Sequence, residues 1–164
     1  MGEVSVDIRL PAEAAAAALI RAYFTDIVGR YHSRAADAAE VDAAMADAPS
    51  DDLQGMTGVF VVAERSGAPV GCGGMRIVDA TTGELARIYV DAAARGQGIG
   101  ALIVRRLEEL AVEAGLTRLR LDTRSDLVEA RRLYARLGYV EGSRHNDDPY
   151  AEHWFAKELG SGQR

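Results

Sequence analysis

The chain has 164 residues, 48% of them hydrophobic, which fits one compact domain with a core of ordinary size. Its net charge of −6 argues against a nucleic-acid partner, and no run of eighteen apolar residues could cross a membrane. The lone Cys72 permits no intrachain disulfide, and His32, His145 and His153 lack metal-ligand spacing, so neither staple nor metal is expected.

In chain order, Val4, Val6, Ile8 and Leu10 alternate like a strand, and Pro11 is expected to open a helix through Leu19, Ile20, Tyr23, Phe24 and Ile27. The Ala14–Ala18 run inside it follows Asp7 and Glu13 and has no basic leader, and Met1-Gly2 lacks the serine or threonine that myristoylation wants; a cytoplasmic protein is expected. A second helix is placed over Ala36–Met45, ending before Pro49-Ser50-Asp51-Asp52. From Asp37 to Asp52 there are six acids and no lysine or arginine, a segment equal in charge to the whole chain's excess.

Val59–Glu64 and Val70–Ile77 read as a hairpin, and Thr81-Thr82-Gly83 turns into a strand over Glu84–Val90. A helix follows with Ile99, Leu102, Ile103, Leu107, Leu110 and Ala111 at helical spacing, stopped by Gly115. Leu116–Thr123 is then a strand reached by a crossover, hence parallel to its predecessor. Asp126 and Glu129 have capping-box spacing for a helix to Leu137, with Ala130, Leu133 and Tyr134 on one face. Tyr139–Glu141 and His153–Lys157 are short final strands around a loop at Asn146-Asp147-Asp148-Pro149; residues 1–159 form one domain and 160–164 a frayed tail.

The most informative stretch is Glu84 to Gly100, where a strand runs through a glycine-dense turn into an amphipathic helix. Glycines at 96, 98 and 100 let successive N–H groups converge, and the helix start adds unpaired donors and the positive end of its dipole, so a phosphate is the expected guest. A mononucleotide P-loop fails, since Ala101 stands where its lysine pattern should follow. A dinucleotide turn is a nearer mimic, with Asp122 as its distal acid, but the third glycine comes one position early.

What remains is Arg95-x-x-Gly98-x-Gly100, joined by Leu121-Asp122-Thr123 and by Ala130-x-x-Leu133-Tyr134-x-x-Leu137-Gly138-Tyr139. With these two blocks the chain resembles the GNAT superfamily of acetyl-CoA-dependent N-acetyltransferases from about residue 4 to 159. The resemblance implies an α/β (α+β) fold: a mixed, mostly antiparallel sheet of about seven strands, flanked by about four helices and splayed between strands 4 and 5. Acetyl-CoA would be the cosubstrate, its pyrophosphate held by Arg95, Gly96, Gln97, Gly98, Ile99, Gly100 and Ala101, with Ala130 and Tyr134 on the next helix. Backbone groups of Ile88, Tyr89 and Val90 would take the pantetheine arm, the N–H of Val90 facing the thioester oxygen.

The resemblance also implies that Tyr134 protonates the leaving thiolate and that Glu84 acts through water as general base, with Asp122 and Glu64 as weaker candidates. A phenol of pKa about 10 is protonated at pH 7, and an alkylammonium of pKa about 10.4 must lose a proton before it attacks. Leu127 stands where the family often has an amide side chain, so a cofactor hydrogen bond there is lost or supplied by Asp126. The acceptor would be a small-molecule or peptide amine, a cationic one if the 37–52 acids wall its side of the site. A non-catalytic acyl-CoA sensor is the alternative of a different class; a longer acyl donor, and a monomer or homodimer, stay open.

Overall fold

A computed structural model describes residues 2–160 of the chain. The strands are β1 (Val4–Ile8), β2 (Gly58–Arg65), β3 (Ala68–Ile77), β4 (Thr82–Val90), β5 (Arg118–Thr123), β6 (Val140–Gly142) and β7 (His153–Glu158). The helices are α1 (Ala14–His32), α2 (Ala38–Asp47), α3 (Ile99–Glu113) and α4 (Val128–Arg136). The strands form one sheet in the order β1-β2-β3-β4-β5-β7-β6, in which β4–β5 is the parallel pair and every other pair is antiparallel. A dinucleotide fold needs a mostly parallel sheet, and this topology removes that alternative.

Alternation along the strands builds two core layers. Val61 and Ala63 of β2, Met75 and Leu85 face α3, whose Ile99, Ile103, Val104, Leu107 and Ala111 are buried; Leu119, Leu121, Tyr134 and Phe155 extend this layer. Phe60 and Val62, on the opposite face of β2, and Cys72 meet Ala16, Leu19, Ile20 and Phe24 of α1 and Val41 of α2. The apolar run from Val59 to Ala63 follows from this double burial.

Several boundaries differ from expectation, each for a local reason. The first helix starts at Ala14, not Pro11, because Glu13 folds back to accept a bond from the Leu10 N–H at 2.7 Å. The fifth strand begins at Arg118; Leu116 instead closes the turn after α3 by donating to the Ala111 carbonyl. The capping box expected at Asp126 and Glu129 does not form: α4 begins after Leu127 with no side-chain cap. Arg124 holds Asp126 through two 2.9 Å bonds, and Glu129 reaches Arg30 on α1 at 2.5 Å. The same D-x-x-E spacing at Asp37 and Glu40 does form a capping box, at the start of α2. The expected tail beyond Gly160 lies outside the described residues. Among the described residues no helix is long and apolar enough to cross a membrane, and no three potential metal ligands converge.

Candidate active site

The parallel ladder between β4 and β5 has three rungs, Thr82–Arg118, Gly83–Leu119 and Glu84–Arg120, and beyond them the strands part. A bulge in β4 accompanies the split: Cys72 of β3 faces Tyr89 and Gly74 faces Ala86, so Arg87 and Ile88 together oppose Gly73. Arg87 takes φ +60°, and its buried guanidinium donates to the Ala48 carbonyl at 2.9 Å and Ser50 Oγ at 3.0 Å, lying 4.8 Å from the Phe24 ring centre. Burial lowers its pKa. A buried cation anchored to the α2–β2 loop thus pins the bulge, and Ile88, Tyr89 and Val90 run along the gap with β3 on one side and no strand on the other.

Past the wedge, the Asp91 N–H bonds the Val70 carbonyl and a single 3-10 turn at Ala92–Ala94 leads to the glycines. Gly96 and Gly98 both take φ +80°, a region that disfavours a side chain, and Gly98 is the N-cap of α3. The first helical bond runs from Leu102 to Gly98, leaving the N–H groups of Ile99, Gly100 and Ala101 at the helix start without helical partners. A Cβ on Gly100 would lie 3.1 Å from Leu133 of α4, so this glycine sets the close approach of the two helices. Arg95 turns back to donate to the Val90 carbonyl at 2.8 Å and stacks on Tyr89, while Gln97 accepts a bond from Arg65. Ala130 packs on the core beside Leu133. This cradle of donors fits a pyrophosphate, with the Arg95 guanidinium close by and that of Arg65 held on Gln97.

Tyr134 is buried on α4, its ring against Tyr139 and Phe155, and its hydroxyl has no hydrogen-bond partner among the described residues. Burial raises its pKa first, with the neighbouring Tyr23 and Asp122 adding to the shift, so the phenol keeps its proton at neutral pH. Tyr23 reaches this spot from α1 and is raised by burial too.

Glu84 sits on the last rung of the ladder, and its Oε2 accepts from Arg120 Nε at 3.0 Å, both side chains largely sheltered at 17% and 21% exposure. Asn146, from the loop between β6 and β7, donates to Asp122 at 2.6 Å and to Glu84 at 3.5 Å and accepts from Trp154 at 3.0 Å. Burial raises the pKa of Asp122; the Asn146 bond opposes the shift, and the charges of Asp148 and Glu84 add to it. Glu64 pairs with Ser5 across β1–β2 and is not brought to the wedge. Leu127 is the N-cap of α4 and makes no side-chain bond there.

Of the histidines, His145 lies against the Leu121 carbonyl at 3.2 Å beside the wedge, while His153 bonds Glu141 and Ser125. Arg120, Asn146, Trp154 and Arg87 carried no motif; only their distant partners reveal them. Four of the six acids in the segment are spent, since Asp37 caps α2, Glu40 binds Arg34, Asp42 binds Arg21 and Asp52 binds Arg76, leaving Asp47 and Asp51. That removes much of the reason to expect a cationic acceptor from the charge count.

The model of the acetyltransferase (GNAT) family matches residues 19–139. An IAA acetyltransferase of Azospirillum brasilense is 39% identical over 50% of this chain and 54% of its own length. A candidate glucosamine 6-phosphate N-acetyltransferase of Oryza sativa is 48% identical over 36% of this chain and 34% of its own. The chain thus spans about half and about a third of these two relatives. Among solved structures, a candidate acyl-CoA N-acyltransferase of Klebsiella pneumoniae superposes with TM-score 0.74 at 25% identity, over 96% of this chain and 98% of that one. An N-acetyltransferase of Thermoplasma acidophilum, solved with coenzyme A, shares the fold with TM-score 0.73 at 15% identity, over 94% of this chain and 99% of its own. With the matched family model covering most of the chain and the splayed sheet in place, this protein belongs to the acetyltransferase (GNAT) family.

Proposed function

We propose that this protein is an N-acetyltransferase that moves the acetyl group of acetyl-CoA directly to an amine in a ternary complex. The observation that carries this reading is the wedge between β4 and β5, with the unpaired start of α3 at its mouth and, on α4, a Tyr134 hydroxyl that no described residue bonds. The Arg95–Ala101 turn would hold the pyrophosphate, and the open edge of β4 at Ile88–Val90 would align the pantetheine arm. The Val90 N–H would then stabilise charge developing on the thioester oxygen. Tyr134, kept protonated by burial, would give its proton to the leaving sulfur.

The test is thermal unfolding of purified protein with acetyl-CoA, coenzyme A and NAD in parallel. A ligand that binds only the native state adds about 2.7 kcal/mol at a hundred times its Kd. Stabilisation by both CoA species and not by NAD is expected, followed by thiol release in a screen of primary amines that includes glucosamine 6-phosphate. Slow thiol release with no dependence on any amine would favour a sensor that binds acyl-CoA without transferring it.

A further inference from the structure

We propose that Asp122, rather than Glu84, is the carboxylate that binds the acceptor's ammonium and takes its proton, with Asn146 and the Glu84–Arg120 pair as positioning groups. This rests on the acetyl-transfer reading above and adds the chemistry of its acceptor side. Glu84 and Arg120 face each other on the last rung of the β4–β5 ladder and hold each other there, so the charge of Glu84 is offset before the gap begins. Two residues on along β5, on the same face as Arg120, comes Asp122. The matching place on β4 is held by Ala86, which brings no polar side chain. Asp122 is therefore the first acid inside the wedge.

Its two oxygens differ. Oδ2 accepts the short Asn146 bond, and Asn146 is fixed in turn through its own Oδ1 by the Trp154 indole N–H. Oδ1 has no donor among the described residues, and it is not among the sealed, unpartnered side-chain atoms. An ammonium N–H would complete it. The groups facing Asp122 are Glu84 on β4, Arg120 on β5, His145, Asn146 and Asp148 on the loop, Trp154 on β7, Tyr23 on α1 and Tyr134 on α4. Burial and the nearby acids raise the proton affinity of Asp122, which suits a base.

The protons balance as follows. An acceptor R–NH3+ gives one proton to Asp122, which passes it to water. The neutral nitrogen bonds the thioester carbon, the carbon–sulfur bond breaks, and Tyr134 protonates the sulfur. The second proton lost from nitrogen restores Tyr134, leaving the amide, the free thiol and one proton in solution.

The test loads the full chain, 13C-labelled at its aspartate carboxyls, with coenzyme A, and uses Asp122→Asn to identify the Asp122 signal. That signal should titrate above the other aspartates and move higher in Asn146→Ala. It should shift with methylammonium but not with tetramethylammonium, which has the charge without an N–H, and Glu84→Gln should keep this response. Titration within the ordinary aspartate range, or equal responses to the two cations, would overturn the proposal. In turnover with the acceptor found by the amine screen, Asp122→Asn should lower kcat/KM about a hundredfold. Most of that loss should disappear with hydroxylamine, which is neutral at pH 7; an equal loss there would mark a merely structural role and defeat the proposal. A methylammonium response without any acetylation would sink the transfer reading and leave the ammonium site standing, whereas unchanged turnover in Asp122→Asn would do the reverse.

Discussion

Along α2 and the loop after it, Asp37, Glu40, Asp42 and Asp52 each end on a cap or an arginine, whereas at the β4–β5 wedge Asp122 keeps an oxygen without a donor among the described residues. The first region holds more charge in sequence, but four of its six acids are committed to structure. Helix caps and surface ion pairs consume acids cheaply, because both partners stay near water. A splayed sheet works differently: once strands part, backbone and side-chain groups lose their partners and become available. Function is therefore sought where pairing fails, not where charge is dense.

The hardest test of that contrast is at the mouth of the wedge. Gly98→Val places a β-branched residue at φ +80°, about 1–2 kcal/mol of strain, and disturbs the donors at the start of α3. Coenzyme A at a hundred times the wild-type Kd should then lose most of its roughly 2.7 kcal/mol stabilisation in thermal unfolding. Full retention would mean that the turn is structural only. Within the wedge, Tyr134→Phe should lower kcat about a hundredfold while the coenzyme A Kd, measured by calorimetry, stays unchanged. A change in Kd alone would reduce Tyr134 to a packing residue. Arg87→Met, which strips the Ala48 carbonyl and Ser50 of their donor, should cost about 1–3 kcal/mol in urea unfolding and weaken coenzyme A binding through the bulge.

The strands, their antiparallel meander and the parallel crossover were largely legible, because the alternation in β1 and the helical stripe of α3 are local signals; the place of β7 between β5 and β6 was not. The Arg95–Gly100 turn, whose glycines follow one another, was legible too. Asp122 and Tyr134 were visible as residues, but their relation was not. Asn146 reaches Asp122 across 24 positions and Glu84 across 62, and Arg87 reaches Ala48 across 39, separations that leave no pattern in a single sequence. The two D-x-x-E sites show the same limit from the other side. Their spacing is identical, yet only Asp37–Glu40 caps a helix, since Arg124 and Arg30 claim the acids at 126 and 129.

On the α2 side the expected effects are smaller and confined to stability. Asp37→Ala removes the cap and should cost about 1 kcal/mol in thermal or urea unfolding, with acceptor KM unchanged. A several-fold rise in that KM would return the acidic segment to the acceptor site.

Glu40 gives the smallest and most diagnostic effect. The bidentate bond from Arg34, then the Asp37 N–H, lower its pKa to about 2, against roughly 4.3 in an unfolded chain. A lowered carboxylate contributes stability above the unfolded value and loses it as pH falls through the folded one. The stability difference between wild type and Glu40→Gln should therefore shrink as pH falls from about 5 towards pH 2. A difference that does not vary with pH would mean the carboxylate's charge is not what Arg34 holds. Should coenzyme A binding or acceptor turnover follow the same pH course, the two regions would be coupled, and the division between charge spent on structure and charge left for the wedge would fail.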